Sequence, residues 1–300
     1  MSGIEVIALK KEQQTENVRE NHFLEVWRQF RRNKGAMIGL AVTILLILIS
    51  IFADQIWDYK TDVIGFNVVE RLQGPSAKHW FGTDQFGRDM FARVGYGTRY
   101  SLLVGFASVF TALLLGLPIG AAAGYLGGKF DSIFMRIVDA ITIIPSILLT
   151  VILVTVLGTS MFNLMLALSI SSIPILARIT RASVMTVRNN EYIESAKAIG
   201  GSNFYIIMTQ VLPNCFSPIL VQATLRMGTT IISAAGLSYI GLGVPVPTPE
   251  WGALLNASKD FIIDKPYLCF FPGLAIMITV MAINLVGDGL RDALDPKLKR

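Results

Sequence analysis

Residues 36–53 carry no charged side chain, and that run restricts the possible folds more than any other stretch. At ~1.5 Å per residue, about 18 helical residues extend ~27 Å, enough to cross the hydrocarbon core of a bilayer with slight help from the flanks. Comparable apolar stretches recur near residues 101–124, 133–157, 161–179, 215–241 and 270–286. Together they predict an all-α membrane protein with six transmembrane helices. Arg28, Arg31, Arg32 and Lys34 crowd the start of the first span. That cluster puts the N-terminus in the cytoplasm, and an even number of spans returns the C-terminus to the same side. Composition agrees, because 16% of the residues are charged, well below the ~25% usual for soluble domains. The net charge of +5 sits beside apolar segments, so it fits membrane topology and gives no basis for nucleic-acid binding. The first ~30 residues lack an apolar h-region, so no cleavable signal peptide is expected.

The chain divides into an N-terminal arm (1–35), a first span with its external loop (36–99) and a core of five further spans (100–300). In the arm, Phe23, Val26, Trp27 and Phe30 recur at helical spacing among the basic residues. This predicts an interfacial helix on the inner leaflet, its basic face toward lipid headgroups. In the external loop, Asp84, Arg88 and Asp89 read as a capping, salt-bridged turn; no nucleophile or base accompanies them to suggest catalysis. Gly116, Gly120, Gly124 and Gly128 stand four apart, a small-residue ladder that lets two membrane helices touch. In the third span Arg136 and Asp139 are spaced to neutralise one another, and Pro145 interrupts the helix. Arg178, Arg181 and Arg188 flank the exit of the fourth span, which places the following polar insert, 191–214, in the cytoplasm.

That insert (its helix at about 190–213) predicts a bent pair of short helices shaped for docking. Asn189 and Asn190 can cap its start, and Glu191 and Glu194 suit a helix N-terminus. Tyr192, Ala196 and Ile199 form an apolar stripe, while Ser195, Ala196 and Ala198 keep the surface low. Gly200-Gly201 breaks the helix, Ser202 can cap a second one, and Pro213 closes the insert.

In the fifth span Arg226 sits near membrane depth, where a lone arginine costs ~2.5 kcal/mol or more unless it faces protein or water. It either lines a solute path and attracts a carboxylate, or braces a neighbouring subunit. Farther on, Trp251, Leu254, Leu255, Phe261 and Ile262 suggest a helix resting at the outer interface. Asp288 and Arg291 read as an i, i+3 pair before a basic tail of Lys297, Lys299 and Arg300.

No G-x-x-x-x-G-K-[ST], H-E-x-x-H or G-x-S-x-G motif occurs, so neither ATP hydrolysis nor peptide or ester hydrolysis is expected of this chain. There is no sign of matched halves with interrupted helices, as an inverted-repeat carrier would have. His22 and His79 look isolated, giving no metal site. Cys215 and Cys269 fall near opposite membrane faces, so no disulfide is expected.

Glu194, Ala196, Gly200, Leu212 and Pro213 resemble the "EAA…G…LP" loop of permease subunits of bacterial ATP-binding-cassette importers. Ser195 and Gln210 depart from that pattern. The run HWFGTDQFGRDMFARVGYGTRYSLLVG resembles the "GTDxxGRDxxxR" signature of C-type permeases of peptide and nickel importers, through Gly82, Thr83, Asp84, Gly87, Arg88, Asp89 and Arg93. GLGVPVPTPEWGALL and GDGLRDALDPKLK resemble the same subgroup, and the likeness runs from about residue 23 to 298. It implies the type I importer permease fold in a bacterial or archaeal plasma membrane. It also implies a heterodimer with a homologous permease, two ATP-binding subunits carrying ATP and Mg, and an extracytoplasmic solute-binding protein. No cofactor would be bound by this chain. Tyr192, Glu194, Ala196, Ile199, Gly200, Leu212 and Pro213 would then meet the ATPase. Two rivals are an autonomous channel or ion-coupled carrier, and a scaffold without flux.

Overall fold

Among residues 22–294, which the computed structural model describes, the regular elements are helices. In chain order they are α1 (His22–Arg32), α2 (Lys34–Ile56), α3 (Met90–Leu126), α4 (Gly128–Ile143), α5 (Ser146–Leu157), α6 (Met161–Val187), α7 (Glu191–Ala198), α8 (Asn203–Tyr239), α9 (Trp251–Ser258) and α10 (Tyr267–Leu294). Five of them, α2, α3, α6, α8 and α10, are long and apolar enough to cross a bilayer. The α4–α5 pair has the apolarity of a sixth span, but it is bent by 84°. The break follows from Pro145, which lacks an amide proton and holds Ile144 extended at φ −86°, ψ 126°. The third span over 133–157 is thus interrupted at Pro145, as its position predicts. The basic tail and the first 21 residues lie outside the described residues.

The bundle is held by close backbone approaches. Helices α3 and α6 share the most extensive contact in the fold. Gly116 faces the Ile173 carbonyl, where an added Cβ would lie 3.2 Å from the oxygen, and at Gly124 the gap to the Arg181 carbonyl would be 2.8 Å. Gly120 is tighter still against Ala177. Such contacts supply dispersion where lipid offers no hydrophobic driving force. Gly128 takes no part in the ladder; it opens α4 at φ +56° with open space around it. A second seam was not anticipated. Gly39 of α2 abuts the Ala282 carbonyl of α10, and Gly228 of α8 abuts Asn284.

Charge pairing differs from the expected local pairs. Asp139 binds Arg178 of α6 at 2.6 Å, not Arg136, and Asp131 binds Arg181 bidentately at 2.5 and 2.6 Å. Two arginines thus tie α6 to α4. Among the described residues no Asp288–Arg291 pair forms; Asp292 instead accepts from Asn33 Nδ2 at 3.1 Å. Cys215 and Cys269 are both free.

The segment between α2 and α3 is braced from within. Asp84 accepts from Arg88 Nε at 2.7 Å and Arg93 Nη1 at 2.5 Å, all three residues being buried. Asp89 caps α3 by accepting from the Ala92 amide at 3.0 Å. Its other oxygen meets His79 Nδ1 at 2.7 Å, and Glu70 approaches His79 Nε2 at 3.3 Å, so His79 is not isolated. No group with metal-holding geometry forms among the described residues. Trp251 packs into the protein, while Ile262 farther along stays exposed. Trp251 is fully buried with Leu254 against Met90, Val94 and Leu268, and its indole donates to the Val94 carbonyl at 2.9 Å. The neighbouring Glu250 caps α9 through the Gly252 and Ala253 amides, both at 2.9 Å. Burial pushes its carboxyl above the usual range.

Removing one partner from a buried ion pair costs about 3–5 kcal/mol, so Asp84→Ala should sharply lower thermal stability in detergent. Arg99→Ala, which breaks the exposed pair with Asp54 and leaves Asp54 as acceptor for the buried Tyr96 hydroxyl, should leave it near wild type; equal losses would refute the internal brace. Gly120→Leu should cost about 1–3 kcal/mol by overpacking. Gly273→Ala, where an added Cβ meets nothing, should be silent in the same melt.

Candidate partner-docking loop and membrane cavity

Helix α7 leaves the end of α6 after a tight turn. The expected side-chain caps do not form: Asn190 offers no side-chain oxygen to the helix, and its Nδ2 reaches the Tyr192 hydroxyl at 3.4 Å. The C-terminus is better built. The Gly201 amide donates to the Ala196 carbonyl and the Gly200 amide to the Lys197 carbonyl, both at 3.0 Å. This reciprocal pair is a Schellman closure. It needs the left-handed conformation at Gly200, φ +84°, that glycine adopts without strain. Ser202 then caps α8 by accepting from the Tyr205 amide at 3.3 Å.

The two helices are rooted differently from their outward look. Ile193 is fully buried with Tyr125, Val184, Ile206, Val211, Leu212 and Ile219, and Ala196 packs half-buried on the same cluster. Tyr192 and Ile199 point away, with Ile199 87% exposed. The expected stripe is therefore split. Ala196 and Leu212 meet in the core, while Tyr192, Glu194 and Ile199 lie on the open surface with Gly200. Pro213 is exposed near the start of an α-helical stretch and does not close the loop. Instead α8 runs on through a π-helical turn, Ile207–Val211, directly into the membrane-length segment. Pro213, which has no amide to donate, sits just after that π-helical turn, where the regular α-helical ladder is already interrupted. Arg188 donates to the Gly124 carbonyl at 2.9 Å, and the Lys197 ammonium lies 5.1 Å from the centre of the Tyr125 ring. Loop, α3, α6 and α8 thus form one packed unit.

Arg226 lies midway along the α-helical part of α8, ~20 Å from either end at ~1.5 Å per residue. Its Nε donates to Ser172 Oγ at 3.3 Å, and no carboxylate pairs with it among the described residues. The guanidinium lines a cavity of about 370 Å³ bounded by the start of α5, by α6 and by α8. Ser146, Thr150, Ser171, Thr230 and Ser233 share that lining with Leu168 and Leu237. This hydroxyl lining was missed, although Arg226, Thr230 and Ser233 fall at i, i+4 and i+7, one helix face. A larger hollow of about 620 Å³ between Trp57 and Ala92 involves the braced His79–Asp89 turn and is remote in the chain from α6–α8.

Residues 116–300 match the family described as binding-protein-dependent transport system inner membrane component. Residues 23–75 match the N-terminal TM domain of oligopeptide transport permease C. The chain is 47% identical over 275 residues to the dipeptide transport system permease protein DppC of Alkalihalophilus pseudofirmus, covering 92% of this chain and 90% of that protein. It is 46% identical, with the same coverage, to the glutathione transport system permease protein GsiD of Escherichia coli. Among solved structures, an inward-facing form of the MetNI methionine ABC transporter superposes with a TM-score of 0.57 at 20% identity, covering 69% of this chain and 98% of that one. That likeness speaks to the fold.

Ile193→Ala removes the buried side chain that seats α7, a change costing about 2–5 kcal/mol at comparable core sites. Amide hydrogen exchange across 191–201 should accelerate strongly in this variant and remain unchanged in Ile199→Ala. Unchanged exchange in Ile193→Ala would show that the loop is held by other means.

Proposed function

We propose a specific role for this chain, which belongs to the family of binding-protein-dependent transport system inner membrane components: it is one of two permease subunits of an ATP-driven importer of di- or oligopeptides or a related small solute. The peptide assignment is supported by the dipeptide and glutathione relatives, whose named solutes share amide bonds and free carboxylates. Both termini and α7 face the cytoplasm in this reading, in keeping with the arginines at the end of α6 and on α1. One of two ATP-binding subunits docks on α7, a homologous permease completes the path, and an extracytoplasmic binding protein delivers the solute. Mg-ATP, bound and hydrolysed on the partner subunits, supplies the free energy.

One observation carries the docking reading. An exposed surface of Tyr192, Glu194, Ile199 and Gly200 is presented by a helix whose opposite side, through Ile193, is fixed in the bundle. A partner pushing on that surface moves α6 and α8 as well, since neither can slide past Ile193 without opening a cavity. ATP acts because it changes how tightly the partner pair holds one state of the permease over the other. Leu212 and Pro213 then serve the transmission from the membrane side of the loop.

In vesicles containing the complete complex and loaded binding protein, peptide uptake should require ATP. Ile199→Glu, which alters the exposed surface and leaves the Ile193 anchor intact, should lower uptake and recovery of the ATP-binding subunits about tenfold or more. Unchanged coupling would overturn the docking reading. Uptake by this chain alone without ATP would assign a channel or carrier, and absence of flux under every condition a scaffold.

A further inference from the structure

We infer that Arg226 and the hydroxyls around it form a binding site for the carboxylate of the transported solute, partway along its path; this rests on the peptide-import reading above. The first support is the arginine's isolation. Arg226 is half-buried with no acid beside it among the described residues, whereas the buried Arg88 and Arg93 share Asp84, the half-buried Arg181 holds Asp131, and the half-buried Arg188 is bound to the Gly124 carbonyl. Arg226 has one hydroxyl contact through Nε, which leaves both terminal nitrogens of a permanently charged fork without a protein anion. A guanidinium is the donor that matches a carboxylate in a bidentate way.

The second support is the polarity of the lining. Ser171 and Ser172 donate to the Leu168 carbonyl at 2.9 and 2.8 Å, Thr150 to Ser146 at 2.8 Å, Ser233 to Thr229 at 2.9 Å and Thr230 to Arg226 at 2.8 Å. Their protons are used within their own helices, so they turn oxygen lone pairs to the cavity. Arg226 is then the principal donor of the chamber, and the hydroxyls are acceptors. That arrangement suits a solute with a carboxylate at one end and N–H groups along its body. The third support is access. Ile232, Gly236 and Ile240 on the rim are exposed, and a Cβ added at Gly236 would meet nothing.

The test uses the complete complex in proteoliposomes with the binding protein loaded to matched occupancy by a peptide or its C-terminally amidated form. The wild-type complex should favour the free acid. Arg226→Gln should lower uptake of the free acid about tenfold or more, the scale set by a hydrogen bond to a charged group, and leave the amide within about twofold. Arg226→Lys, which keeps the charge and loses the fork, should fall between. Acid and amide uptake falling in parallel, or neither changing, would overturn the site. So would failure of both variants to assemble, which would make the arginine a subunit brace. Failure of the wild-type complex to move either peptide would defeat the importer reading itself, independently of residue 226.

Discussion

Eight residues cannot sustain an α-helix in water unaided, so α7 exists because Ile193 is driven into the cleft between α3, α6 and α8. That burial does two things together. It keeps a short polar helix folded at the surface of a membrane bundle, and it makes the helix mechanically continuous with two membrane-length segments. The Schellman closure at Gly200 and the Arg188 bond to Gly124 tighten the same joint. A docking surface without such a root would flex under load and transmit nothing.

Polar groups elsewhere obey the low-dielectric environment they occupy. The half-buried Asp131 takes Arg181, the buried Asp84 takes two arginines, and the buried Glu250 is satisfied by amides at the start of α9. Each arrangement offsets a desolvation cost that an unpaired ion would impose. Arg226 departs from this pattern, and it does so beside a cavity rather than in a packed seam. The departure draws attention to a solute, since a site that must bind and release an anion cannot hold one of its own permanently.

Much of the architecture was legible in the sequence because bilayer thickness and glycine spacing act over short stretches. The charge-free run at 36–53 and the spacing of Gly116, Gly120 and Gly124 are local signals of that kind. Long-range choices were not legible. Nothing near Asp139 says that Arg178 would outcompete Arg136, and nothing in the α9 sequence says that Trp251 would plug the bundle against Val94. The break at Pro145 was visible, but not its 84° angle, which depends on what packs against α5. In the docking loop the apolar positions were read as one stripe. Ile193, the residue that seats the helix, lies off that stripe and was passed over.

The account turns on which side of the membrane α7 occupies and what covers it there. Lys197→Cys, in a chain with Cys215 and Cys269 replaced by serine, can be reacted with a membrane-impermeant maleimide in intact cells and in inside-out vesicles. Labelling should occur only in the inside-out vesicles and should fall when the ATP-binding subunits are present. Labelling of residue 197 from outside intact cells, or equal labelling with and without those subunits, would contradict it.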